Sequence, residues 1–169
     1  MISQTAEYAL RAVVFLGSHV GQPVTTQRVA AATRVPAGYL SKVLQALGKA
    51  GLVEARRGLR GGYFLARPLD ALTVLDVINS VDPLQRITSC PLGLNGHRGT
   101  LCALHHKLDE GIARIESVFQ ATTIGQLVGE RGAGQNPLCE VLSEVDGRTL
   151  DGAAQSIVEG DSPSRSEPD

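Results

Sequence analysis

Between positions 90 and 105 the chain sets two thiols and two imidazoles in the order Cys90-x6-His97-x4-Cys102-x2-His105. Thiolate and imidazole side chains bind the softer metal ions, so this concentration of them is a candidate metal centre. Cys102 and His105 lie three apart, and a helix starting there would put both on one face. Several chemistries are open to the set. Mixed Cys/His ligation occurs in [2Fe–2S] centres and raises their potential. Two Cys and two His also make a good tetrahedral zinc set, although this spacing is not that of a zinc finger. Cys90 and Cys102 could instead form a reversible disulfide without any metal. The bland alternative, incidental thiols beside solvated histidines, is weakened by four ligand side chains within sixteen residues. The third cysteine, Cys139, stands apart in an acidic stretch and is a weak candidate.

A second chemistry lies upstream, in Arg56-Arg57-Gly58-Leu59-Arg60-Gly61-Gly62-Tyr63. Guanidinium groups suit phosphates or a narrow minor groove, and glycine lets a backbone turn and approach a partner closely. One lone arginine would read as an ordinary solvated charge; three arginines with three glycines read as a nucleic-acid-binding ribbon. A nucleotide-phosphate loop is excluded, because there is no Gly-Lys-Ser/Thr and no strand-to-helix context.

Stepping along the chain, Ala6, Ala9, Leu10, Val13, Val14 and Leu16 follow helical spacing, which predicts a first helix over 3–18. Gly21-Gln22-Pro23 ends it. Thr25 or Thr26 caps a second helix with Val29, Ala30 and Ala32 inward, and 33–36 forms a turn. A third helix starts near Ala37 and carries the stripe Leu40, Val43, Leu44 and Leu47, with Gly51 as left-handed cap and Leu52 packing back. A β-hairpin then covers 53–65. Thr73-Val74-Leu75-Asp76 resembles a capping box opening a fourth helix that ends before Pro83. Residues 84–101, with Pro91, Gly93, Gly96 and Gly99, read as an irregular loop.

From Leu101 the apolar residues Leu104, Leu108, Ile112, Ile115 and Phe119 recur at steps of three and four, so a long helix follows. Standing outside a small domain it needs an apolar partner, and a second copy of the chain is the simplest, giving a homodimer. Packing back on its own domain is the alternative. Residues 121–128 add one short helical turn. Beyond Gly129 the composition is that of a disordered tail, with 137–142 as its one apolar island.

The expected fold class is therefore mainly α with a small β-hairpin wing: a winged helix-turn-helix plus a long dimerisation helix. The expected division is 1–83 for DNA binding, 84–128 for sensor loop and dimerisation helix, and 129–169 for an acidic tail. The net charge of −1 hides a split: residues 1–128 carry 13 Lys/Arg against 8 Asp/Glu, and residues 129–169 carry 3 against 9. A basic body with an acidic tail fits double-stranded DNA better than the total implies. No secretory leader or membrane span is legible, so a cytoplasmic protein is expected, where three cysteines are not a disulfide framework.

With one stripe of the third helix buried, the outward positions are Gly38, Tyr39, Ser41, Lys42 and Gln45. Ser41 and Gln45 can bond base edges, and Lys42 suits phosphate. Arg56, Arg57 and Arg60, with Gly61 and Gly62, complete the expected DNA-binding set. No catalytic residues are expected. Cys102 and His105 could imitate a nucleophile and base, but no cofactor fingerprint or small-molecule substrate site accompanies them. A pure protein-interaction module is the more serious rival. Loss of Arg57 and Arg60 separates the two, because only a DNA reader loses affinity and salt slope together.

Taken together, 1–128 resembles the winged-helix regulators of the IscR/NsrR family. The most specific matches are Glu7-Tyr8-Ala9-Leu10-Arg11, the third-helix stretch Tyr39–Leu47, the wing Arg57–Tyr63, and the Cys90–His105 stretch. The resemblance implies a homodimeric transcription factor, usually a repressor. Many such factors sense iron–sulfur status, nitric oxide or redox state through a cluster bridging the loop to the partner's N-terminal helix; some act with a partner protein and no metal. Cluster-binding members carry three loop cysteines. Here Cys90 and Cys102 match the first and third, and the middle one falls at Gly96 or His97, so an all-cysteine cluster is excluded. His105 matches a histidine ligand of some members, and Glu7 falls where others have an acidic ligand. The leading expectation is a [2Fe–2S] cluster on Cys90, Cys102, His105 and either His97 or Glu7, with zinc or no metal as alternatives.

Overall fold

The computed structural model describes residues 2–90 and 101–129. Its first helix, α1 (Gln4–Gly17), begins where the Ser3 hydroxyl accepts from the Ala6 N–H at 3.2 Å. One flank of α1 is nearly all small: Ala6, Ala9 and Ala12 are fully buried, which lets neighbouring helices come close. α2 (Thr26–Thr33) is capped by Thr25, which accepts from Arg28 N–H at 3.3 Å. It ends on Arg34, which adopts a left-handed φ of +55° and donates its N–H to Ala30. Such a conformation is uncommon for a side chain with a Cβ, and it turns the chain into Pro36 and α3 (Ala37–Lys49).

Leu40, Val43, Leu44 and Leu47 of α3 are all buried, as the stripe predicts. Gly51, at φ +68°, ends the helix, and Leu52 folds back with its N–H on the Leu47 carbonyl at 3.0 Å. The chain then runs through β1 (Val53–Arg56) and β2 (Gly62–Leu65), antiparallel, with Val53 opposite Leu65 and Arg56 opposite Gly62. Val24 joins this hairpin from the α1–α2 connection. Its N–H and carbonyl exchange hydrogen bonds of 2.9 and 2.8 Å with Tyr63. That pairing was not legible in the sequence, and it sets the role of Gly62: a Cβ there would lie 2.4 Å from the Val24 carbonyl oxygen.

A 3-10 turn (Leu69–Ala71) leads to α4 (Val74–Val81), whose capping box is complete: Thr73 Oγ1 accepts from Asp76 N–H, and Asp76 accepts from Thr73 N–H. Residues 84–90 contain no helix or strand, as expected of a loop. The rest of that expected loop, 91–100, lies outside the described residues, as does everything from 130 on, with the apolar island 137–142 and Cys139.

α5 (Ala103–Ala121) is the long helix, and none of its residues is buried. Its apolar residues divide. Phe119 packs against the winged-helix core, whereas Leu104, Leu108, Ile115 and Val118 stay exposed along one face. Within the single chain, α5 therefore does not pack its whole stripe back on its own domain. The short turn expected over 121–128 is α6 (Ile124–Gly129). It docks firmly: Ile124 is fully buried, its N–H donates to Leu72 at 2.8 Å, and Val74 N–H donates to Thr122 at 2.9 Å. α5 is thus fixed at its C-terminal end and stands free along its apolar face.

Candidate metal centre and nucleic-acid interface

The ligand atoms of Cys90, Cys102 and His105 all lie within 4.8 Å of one another. Two come from the start of α5. Cys102 is the N-cap residue and His105 sits in the first turn, so the three-residue spacing does bring both to one place. His105 Nδ1 lies 3.1 Å from Cys102 Sγ and 3.6 Å from Cys90 Sγ. The Cys102 thiol is pulled down to about 7, first by the His105 backbone N–H at the helix start and then by the His105 imidazole. A thiol in that range offers the thiolate needed for metal ligation at neutral pH.

Cys90 arrives from the irregular segment, and one arginine holds that segment down. Arg86 makes a two-pronged contact with Asp109 of α5 at 2.7 Å on each prong, and reaches Glu116 at 3.2 Å. The Ile87 N–H adds a bond to Asp109 at 2.9 Å. Arg86 keeps the Asp109 carboxyl well down, at about 2. Sequence reasoning missed this clamp. Its one signal was that Asp109 and Glu116, seven apart, share a face of the helix; nothing marked Arg86 as their partner.

His97 lies outside the described residues. Glu7 does not join the three-residue group within one chain; it forms an ion pair with Arg11 one turn along α1. Two sulfurs and an imidazole nitrogen are donors that fit a [2Fe–2S] cluster or zinc, and either needs at least one further ligand.

On α3, Gly38, Tyr39, Lys42 and Gln45 are exposed and Ser41 is half-buried. Two of these side chains have internal attachments. Ser41 donates its hydroxyl to the Ala37 carbonyl at 3.0 Å. Tyr39 turns toward α1, sharing a hydrogen bond with the Thr5 hydroxyl at 2.5 Å and meeting the Tyr8 ring edge-on at 5.6 Å. Arg56, Arg57 and Arg60 are exposed, and none of them makes an ion pair among the described residues. At Gly61 a Cβ would lie 2.3 Å from the Arg56 carbonyl oxygen. The close approaches at Gly61 and Gly62 are thus to the chain's own backbone. Among the described residues no helix is long and apolar enough to cross a membrane.

Comparison with known proteins places these features in company. Residues 2–130 match the profile of the Rrf2 family, described as iron-dependent transcriptional regulators. A Mycobacterium tuberculosis protein described as a helix-turn-helix-type transcriptional regulator is 35% identical over 130 residues, 76% of this chain and 81% of the relative. The regulator NsrR of Geobacillus kaustophilus is 29% identical over 143 residues, 82% of this chain and 97% of its own length. Among solved structures, CymR, the global cysteine regulator of B. subtilis, superposes with a TM-score of 0.65 at 24% identity, covering 77% of this chain and 97% of CymR. T. potens IscR gives 0.64 at 24% identity, covering 80% and 92%. These likenesses carry the winged-helix fold.

Proposed function

The chain belongs to the Rrf2 family of transcriptional regulators and is not an enzyme, and from that premise we propose that it binds operator DNA as a homodimer and responds to redox, iron–sulfur or nitric oxide status through a [2Fe–2S] cluster. The observation that carries this reading is the convergence of Cys90, Cys102 and His105 at the head of α5. Relatives named NsrR and IscR support it. In this reading residues 1–83 read DNA and residues 84–128 sense and pair, and the protein works in the cytoplasm, usually as a repressor.

Cys90, Cys102 and His105 would hold the cluster, with the fourth ligand from His97 or from Glu7 of a second copy. Such a centre would supply a one-electron couple whose potential histidine ligation raises. The chain's own part is mechanical. Arg86 ties the Cys90 segment to Asp109 and Glu116, so a displacement of Cys90 is transmitted to α5. α5 is joined through Thr122 and Ile124 to the start of α4 and so to the winged domain. With Leu104, Leu108, Ile115 and Val118 against a second copy, a shift of α5 changes the spacing of the two α3 helices and the fit to paired half-sites. On DNA, Gly38, Tyr39, Ser41, Lys42 and Gln45 line the major groove, and Arg56, Arg57, Arg60, Gly61 and Gly62 form the wing.

The test is a visible spectrum with iron, sulfide and zinc analysis on protein purified without air. Near-equal iron and sulfide are expected, lost in both Cys90→Ala and Cys102→Ala. Stoichiometric iron retained in both variants overturns the ligand choice. Zinc without sulfide moves the reading to a zinc-binding regulator, and no metal after attempted reconstitution moves it to a thiol switch.

A further inference from the structure

A basic body and an acidic stretch divide the charge of this chain. Residues 1–128 have a net charge of +5 and residues 129–169 a net charge of −6. The acidic stretch leaves the described structure at Gly129, the last residue of α6. There α6 lies against the end of α1: a Cβ at Gly17 would sit 3.2 Å from Val128. Four residues past Gly17 an open cleft of about 320 Å³ begins, lined by Gly21, Pro23, Ala55, Arg56 and Phe64. Its walls are apolar and its one charge is Arg56. Arg56, Arg57 and Arg60 find no carboxylate partner among the described residues.

The acidic stretch has the complementary pattern. Its apolar island Pro137-Leu138-Cys139-Glu140-Val141-Leu142 is followed by Glu144 and Asp146. The reach is sufficient. Gly17 and Gly21 are at most about 15 Å apart along the chain, and the connection from Gly129 to Pro137 spans about 16 Å even as a random coil.

We infer that residues 137–146 dock in cis on this cleft, with Leu138 and its neighbours against Pro23, Ala55 and Phe64 and the carboxylates of Glu140, Glu144 and Asp146 facing the wing arginines. The segment then competes with DNA phosphates for the wing. Single exposed ion pairs are weak; tethering supplies the segment at an effective concentration on the order of millimolar. The competition rests on the DNA-reading function proposed above, whereas the docking does not. Its use would be to suppress non-specific DNA binding, which is almost wholly electrostatic, more than operator binding.

The full-length protein carrying a photo-reactive benzoylphenylalanine in place of Leu138, irradiated without DNA, is expected to cross-link within one chain to the peptides holding Pro23 or residues 55–64. The variant Glu140→Gln/Glu144→Gln/Asp146→Asn should lose most of that cross-link. It should also bind non-specific duplex about three- to tenfold more tightly than the parent in about 50 mM salt, with the difference closing near 0.3 M as charges are screened. No cross-link, a cross-link only to another chain, or equal low-salt affinities would overturn the inference. Should the parent bind no duplex while the intramolecular cross-link persists, the DNA-reading proposal fails and the docking stands.

Discussion

In α3 the stripe Leu40, Val43, Leu44 and Leu47 is at most 2% exposed, whereas in α5 the stripe Leu104, Leu108, Ile115 and Val118 is 47–63% exposed. Both stripes have helical periodicity, and both are legible as amphipathic faces. The difference is where the partner comes from. α3 meets α1, α2, α4 and β1 inside the same chain. Among the described residues α5 packs on α4, is held near its C-terminal end by Phe119 and α6, and is gripped by Arg86 along its polar side. The winged half is a finished core. The arm is an unfinished one, and the three sulfur and nitrogen donors stand at its N-terminal end. In the proposed function the sensor would thus sit on the part of the molecule whose packing is still open to change.

The sharpest way to break that comparison is to truncate one leucine from each stripe. Leu44→Ala should lower unfolding stability by about 2–5 kcal/mol, through lost burial and an unfilled cavity, read as a fall in the urea midpoint. Leu108→Ala should leave the urea midpoint of dissociated protein nearly unchanged and weaken self-association in sedimentation equilibrium. Equal destabilisation by the two would mean that α5 finds its apolar partner within its own chain.

A smaller effect is expected at the wing. Gly62→Ala forces a Cβ onto the Val24 carbonyl and should destabilise the hairpin by about 1–3 kcal/mol, as overpacking does. Amide exchange at Tyr63 and Val24 measures it. Unchanged protection there would show that the Val24–Tyr63 pairing is not what demands glycine.

The smallest effect concerns the clamp on α5. The Asp109 carboxyl is held at about 2, below its ordinary 3.8, chiefly by Arg86. A depressed carboxylate stabilises the fold above its unfolded value, and that contribution is lost as pH falls from about 4 toward 2. Asp109→Asn should therefore lose some stability at neutral pH and show a flatter acid limb than the parent. The two urea-midpoint profiles between pH 5 and 2 decide it. Superimposable profiles would mean the clamp is open in solution.

Much of the fold was readable because it is local. Ser3, Thr25 and the Thr73–Asp76 box announce helix starts through contacts within three residues, and Gly51 announces a helix end through its positive φ. The Cys102–His105 pair was readable for the same reason, since one helical turn is a fixed distance. Cys90 was not placed by such a rule. It lies twelve positions before Cys102, and its position depends on Arg86 meeting two acids from a helix more than twenty residues away. The Val24 bridge and the docking of α6 on α1 escaped notice likewise, because backbone pairing and close approach leave little trace in side-chain pattern.

By itself, then, the sequence determined the helices, the hairpin, the basic wing and the family of donors at 90–105, because each follows from backbone preference, hydrophobic period or residue chemistry acting over a few positions. Only the tertiary structure decided that Arg86 meets Asp109 and Glu116 of α5, that Tyr39 leans on α1 as well as facing outward, and that the apolar face of α5 is left open. Those outcomes depend on which distant surfaces meet, and a periodic pattern states that a face must be covered without stating by what.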